Sequence, residues 1–220
     1  MSQPFGHSLL SLKVQVPFWI CTLIWGTTWF VIRGQLGIVP PSWSVTYRFG
    51  VSALAMFAYA WLKGERLTLD RRQHRFVLLF GVAQFVFNFN FVYRAEAYIT
   101  SGLVAILFAL LIVPNTLLAR FFLGLRATKQ FYLGSSVAIA GIVLLFINEY
   151  RQGGGGDTVL LGIGLTLLGV LSASIANILQ ATPRAHEMPM ATMLAWGMTW
   201  GTLANALWAW GSVGPPSIEW

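Results

Sequence analysis

An all-α, polytopic membrane helix bundle is the fold this sequence predicts, and three observations predict it. Hydrophobic residues make up 56% of the 220 and charged residues only 10%, where a soluble domain carries about 25% charged. The apolar residues gather into seven runs, 14–36, 43–62, 76–93, 103–124, 131–148, 158–180 and 190–211, each close to the roughly 20 residues that span a bilayer. The basic residues sit mostly in alternate connectors between those runs, the pattern that orients spanning helices. Helices rather than strands fit runs of this length, because each helix satisfies its own backbone hydrogen bonds without water.

Charge and cysteine usage exclude several classes. The net charge of +7 would suggest a nucleic-acid surface on a soluble protein. Here the cations mark topology, so the expected partners are the lipid bilayer and a small-molecule substrate, with no nucleic acid. Oligomeric state stays open. Cys21 is the single cysteine, which excludes an intrachain disulfide and a cysteine-rich metal site. The N-terminus shows no signal-peptide pattern, because its first apolar run is long and no small-residue cleavage motif follows. No cofactor and no metal are expected.

The first run follows Lys13 and carries Trp25, Thr28, Trp29 and Ile32 on one helical face. Tryptophans in membranes commonly sit in interfacial belts; at depth they could instead stack on an apolar or aromatic solute. The second run holds Arg48 about a quarter of the way along. That cation either snorkels or bonds a neighbouring helix, or it fixes a substrate carboxylate. The third run places Gln84 and Asn88 four apart on one face, with Asn90 elsewhere; they are bundle glue or cavity lining.

The fourth run contains Pro114 and Asn115, with Arg120 near its end. Proline removes a helix hydrogen bond and frees the carbonyl four residues before it, here Leu110. The kink is structural or lines a cavity, while Arg120 can snorkel to the headgroups. The fifth run is short, at the low end of the spanning range. After it, "NEYRQGGGGDT" reads as a flexible linker, since no Lys-Ser or Lys-Thr pair follows to make a phosphate loop. The sixth run carries Gly169, Ala173, Asn177 and Gln180 as a stripe that suits close packing or ligand contact. The seventh places Trp196 and Trp200 on one face.

The connector "KGERLTLDRRQHR" supplies five cations, and Arg126, Lys129 and Arg184 lie on the same side. Arg33, Arg94 and Arg151 lie on the other. The positive-inside rule then predicts a cytoplasmic N-terminus in a multi-pass plasma-membrane protein (the inner membrane if the source is bacterial).

Sliding the chain by 148 positions lays Pro41 on Pro189, the first run on the sixth and the second on the seventh. Residues 1–147 form one five-helix unit, 148–157 a Gly-rich outer linker, and 158–220 the first two helices of a second unit. An odd number of spans inverts the second unit, as in secondary transporters whose site forms between inverted repeats. The expectation is a ten-helix (5+5) architecture, of which this chain holds seven predicted transmembrane helices.

"LIWGTTWFVIRG" followed by "PPSWSVTYRFGVSALAM" resembles the start of an EamA-type repeat of the drug/metabolite transporter superfamily, where Trp-Gly in helix one precedes an Arg in helix two. "AEAYITSGLVAILFALLIVPNTLLARFFLGLRATKQFYLGSSVAIAGIVLLF" is similar to that family's fourth and fifth helices, through Tyr98, Thr100, Ser101 and Pro114. "GLTLLGVLSASIANILQ" and "PMATMLAWGMTWGTL" look like the opening of the second repeat. The pattern departs after helix four, where the family has Gly-Glu-Arg and this chain reads Gly124, Leu125, Arg126. The resemblance implies a carrier of small organic metabolites, often outward.

The expected substrate cavity is therefore lined by Trp25, Thr28, Trp29, Arg48, Gln84, Asn88, Pro114, Asn115, Asn177, Trp196 and Trp200, with no catalytic residue. All seven acidic residues and His7, His74 and His186 fall in connectors or at the ends, so no deep carboxylate or imidazole is expected to relay protons. The leading function is a secondary transporter, a probable exporter of metabolites such as amino acids. The alternatives are an intramembrane enzyme, for which no nucleophile–base pair is found, and a seven-helix receptor, which the repeat argues against.

Overall fold

The computed structural model describes residues 11–35, 39–152 and 157–216. Over the described residues, helices cover all seven apolar runs. The helices are α1 (Leu12–Gln35), α2 (Pro41–Leu62), α3 (Arg71–Gly81), α4 (Phe89–Ala95), α5 (Ser101–Ala109), α6 (Ile112–Leu123), α7 (Lys129–Gln152), α8 (Asp157–Gln180), the single turn α9 (Pro183–His186) and α10 (Met190–Val213). A π-helical turn, Val82–Asn88, joins α3 to α4 into one span, and a tight turn joins α5 to α6 into another. Among the described residues, five helices are long and apolar enough to cross a membrane: α1, α3–α4, α5–α6, α7 and α8. α2 and α10 match them in length but are richer in Trp, Ser and Thr.

Local chemistry sets the ends. Pro41 opens α2 at a position where its missing N–H is harmless. Gly64 closes that helix at φ 68°, with the Glu65 N–H reaching the Ala60 carbonyl at 2.9 Å in a Schellman motif. Asp70 starts α3 through a capping box. Its Oδ1 accepts from the Arg72 and Gln73 amides at 2.7 and 2.8 Å, and the Asp70 N–H donates to Gln73 Oε1 at 3.0 Å. The Gln73 amide, aided by that of Arg72 and the charges of Arg66 and Arg72, holds the Asp70 carboxyl below its ordinary value. This cap is why the third span begins at residue 71 rather than 76. His74 consequently lies inside α3 and not in a connector, a correction to the sequence reading. α7 likewise runs through Gln152 into the expected 148–157 linker, whose glycines 153–156 lie outside the described residues.

The core lies among α2, α3–α4, α8 and α10. α2 and α10 make the most extensive contact and run antiparallel. The Trp43 indole N–H at the start of α2 donates to the Gly214 carbonyl past the end of α10, at 3.1 Å. At the opposite end, the Thr192 hydroxyl and the Trp196 indole N–H of α10 donate to the carbonyls of Arg66 and Leu67, at 2.9 and 2.8 Å.

Glycine lets α3 and α10 touch. A Cβ on Gly81 would collide with the Gly197 carbonyl, and one on Gly201 would lie 2.7 Å from Phe85 Cβ. Gly197 and Gly201 are spaced as in the small-residue motif of close helix pairs.

A candidate solute cleft and a polar hub

The π-helical turn organises the centre. A π turn interrupts the regular backbone ladder, and three of its carbonyls accept side-chain donors, the Val86 carbonyl in addition to the Phe89 N–H. The Ser172 hydroxyl on α8 donates to Ala83 O at 2.8 Å. The Asn205 amide on α10 donates to Phe85 O at 2.8 Å. The Asn90 amide donates to Val86 O at 2.9 Å and to Asn205 Oδ1 at 2.6 Å. Asn90 and Asn205 are both fully buried. Sequence reasoning set Asn90 aside and passed over Asn205 and Ser172. The remaining signal was Asn205 as the single amide of the seventh run.

Gln84 and Asn88 sit in the same turn. Asn88 is buried against Gly169 of α8, whose added Cβ would meet Asn88 O at 3.3 Å and Oδ1 at 3.6 Å. Gln84 Oε1 and Asn88 Oδ1 are both buried with no hydrogen-bond partner.

The proline kink differs in detail from expectation. The helix breaks at Leu110–Leu111, and the Leu110 carbonyl is not freed. It accepts from the Val113 N–H at 2.9 Å in a tighter turn. Asn115, just past Pro114, accepts from the Asn177 amide of α8 at 3.4 Å, so those two predicted residues meet. Arg120 is exposed and donates to the Tyr132 hydroxyl at 3.1 Å.

A cleft of about 500 Å³ opens between α1 and α2, lined by Thr27, Thr28, Gln35, Ser44, Tyr47 and Arg48 among others. The Thr27 and Thr28 hydroxyls donate to their own helix at Leu23 O and Ile24 O, 2.8 and 2.7 Å away, so they face a solute as acceptors. Gln35 Oε1 accepts from the Tyr93 hydroxyl at 3.0 Å. The half-buried Arg48 guanidinium lies 5.0 Å from the Phe89 ring centroid and 5.9 Å from that of Phe49. It makes no ion pair among the described residues. A guanidinium held by ring faces keeps its five N–H donors free for a planar anion.

The eleven predicted residues therefore do not share one cavity. Thr28 and Arg48 line the α1–α2 cleft. Trp29 instead packs on Phe108, ring centroids 5.1 Å apart, and Trp25 is 57% exposed on the outer face of α1. Gln84, Asn88, Asn115 and Asn177, with Pro114, lie along α8. Trp196 and Trp200 enclose His74 edge-on, with ring centroids at 4.6 and 5.9 Å. The Trp200 indole donates to His74 Nδ1 of α3 at 3.3 Å, and that of Trp196 reaches Leu67 O in the connector before it.

Glu96 corrects the expectation about carboxylates. It follows α4 directly, yet is only 1% exposed. Oε2 accepts from the Ser101 hydroxyl at 3.0 Å, while Oε1 is buried and unpartnered. Arg33 donates to the backbone carbonyl of Glu96 at 3.1 Å. Burial pushes the Glu96 carboxyl up to about 7, against the opposing pull of Ser101 and Arg33.

Comparison with known proteins places this geometry. Residues 17–147 match the model of a family described as EamA-like transporters. Protein PagO of Salmonella typhimurium is 28% identical over 138 residues, covering 63% of this chain and 45% of that protein. The uncharacterized transporter YoaV of Bacillus subtilis is 20% identical over 209 residues, 95% of this chain and 70% of that protein. The uncharacterized inner membrane transporter YedA of Escherichia coli K12 is 26% identical over 142 residues, 64% and 46% respectively. The matched segment thus spans less than half the length of PagO and YedA. No solved structure matches the chain.

Proposed function

The chain belongs to the EamA-like transporter family, and on that premise we propose that it exports small organic metabolites such as amino acids by alternating access between inverted repeats. It is a multi-pass membrane protein and a transporter rather than an enzyme; the solute, direction and mechanism are this proposal. In it, residues 1–147 are the first repeat and 158–220 the start of the second, and the N-terminus is cytoplasmic.

One observation carries the inverted-repeat reading. The antiparallel pair α2 and α10 is tied at one end by Thr192 to Arg66 O and at the other by Trp43 to Gly214 O. Arg66 and Gly214 stand 148 apart, and Thr192 maps onto Ser44, next to Trp43. The two ties are near-equivalents under the offset that aligns the apolar runs. A two-fold axis in the membrane plane predicts such reciprocal ties.

The α1–α2 cleft supports an anionic or zwitterionic solute, because Arg48 is its free cation and its walls are otherwise apolar or neutral. Flux measured in inverted vesicles carrying the full-length protein tests this reading. Concentrative or exchange flux of an amino acid supports it; absence of flux for every small metabolite offered overturns it.

A further inference from the structure

We propose that Glu96 is a proton-binding site that locks the junction of α1, α4 and α5, and that losing its proton releases that junction. The site rests on its own geometry; only its use in a transport cycle rests on the transporter reading.

The junction is built around the carboxyl. Ser101, at the start of α5, donates to Oε2 and also lies 3.4 Å from the Trp29 carbonyl of α1. Arg33 of α1 donates to the carbonyls of Glu96 and Ile99, at 3.1 and 3.5 Å. The nearest cation is thus committed to closing the end of α4 and does not pair with the carboxylate. From the same element, Arg94 is turned away onto the Trp208 ring, 5.0 Å from its centroid. α8 presents Val159 and Gly162 here, and Asp157 at its start is exposed and makes no hydrogen bond or ion pair with Glu96. Tyr98 in the connector is exposed.

An ionised carboxylate so buried, with Oε1 unpartnered, is disfavoured against its neutral form. Protonation at Oε1 removes that charge and leaves the Ser101 bond intact. On release, the Oε1–H bond breaks, the proton passes to water and the electron pair stays on the carboxylate. A cavity of about 140 Å³ lined by Arg33, Ala97, Tyr98 and Leu103 lies beside this junction; Glu96 is not in its lining, so water meets the carboxyl only as the junction parts. The carboxylate must then gain solvent, which parts α5 from α1.

The sign follows from linkage. The folded protein holds this proton more tightly than an ordinary glutamate, whose value is 4.5. The stabilisation is fully present below about 4.5 and is lost as pH rises through about 7.

The test uses the whole chain in lipid nanodiscs and needs no substrate, so its failure and that of the transporter reading are separable. Infrared difference spectra should show a protonated-carboxyl band that persists to near neutral pH and vanishes in Glu96→Gln. Ser101→Ala should move its midpoint upward, because the lost hydrogen bond favours the charged form. In a Cys21→Ser background, Leu103→Cys reports opening of the buried face of α5. Its labelling rate, divided by that of the same cysteine with Glu96→Gln at the same pH, should rise roughly threefold or more from about pH 5 to about pH 9. An acid band unchanged by Glu96→Gln, an unmoved midpoint in Ser101→Ala, or a pH-independent labelling ratio would each overturn the proposal.

Discussion

Asn90 and Asn205, 115 positions apart, meet at 2.6 Å inside the bundle, where the π-helical turn crosses α10. One amide pair thereby reaches two backbone carbonyls and joins α4 to α10. Asn205→Ala takes the side-chain donor from the Phe85 carbonyl and one acceptor from the Asn90 amide, which keeps its bond to Val86 O. The expected cost is about 1–2 kcal/mol, read from reversible unfolding in mixed micelles. A double-mutant cycle with Asn90→Ala should return a coupling of about 0.6–1.7 kcal/mol. Strict additivity would mean that the two amides act independently.

Gly81 is the closest approach of α3 to α10. Gly81→Ala pushes a methyl into the Gly197 carbonyl, which is backbone and gives way only if the helices part. A loss of about 1–3 kcal/mol is expected. Gly141→Ala on α7, where nothing lies within 4 Å, serves as the control and should fold as the parent does. Equal thermal stability of the two variants would show that α3 and α10 can separate freely.

Orientation is testable in intact cells. With Cys21 replaced, cysteines at Thr68 and Arg71, both exposed, should resist an impermeant thiol reagent added outside. Cysteines at Asp157 and Thr158, also exposed, should be labelled. The reverse pattern would invert the proposed topology.

Arg48→Gln should weaken transport of carboxylate-bearing solutes by about tenfold or more, in keeping with a lost charge-assisted hydrogen bond, while expression stays near normal. The measurement compares uptake of an amino acid and its amide into inverted vesicles. Equal loss for both, or loss for neither, would reject a carboxylate role for Arg48.

How far the sequence could be read depends on the range of the force involved. The seven runs were legible because apolar length and flanking charge are local properties. Pro114 marked a break but mislaid it, since the chain tightened at Leu110–Leu111 to keep the Leu110 carbonyl bonded. The π turn was not legible, because its carbonyls depend on donors from Ser172 and Asn205 on other spans. Glu96 looked like a connector residue; its burial is set by Ser101, Trp29 and Arg33 closing around it. Trp196 and Trp200 looked like ligand contacts, but Leu67 of the connector and His74 of α3 take their indole N–H groups.

The contrast between α7 and the α2–α10 pair bears on biogenesis. The Lys129–Ile147 window of α7 has a mean hydropathy of 2.0 and none of it is buried in the bundle. Such a helix partitions into lipid on its own account, whatever its neighbours do. α2 and α10 instead make the most extensive helix–helix contact in the bundle, and the Trp43 and Trp196 indoles tie its two ends. During synthesis α2 emerges from the ribosome well before α10, so the Trp43 indole N–H must wait for its partner, the Gly214 carbonyl. Residence at the translocon, rather than autonomous partitioning, is then the rate-setting stage of assembly, and crosslinks from α2 to the insertion machinery should persist until α10 has been made.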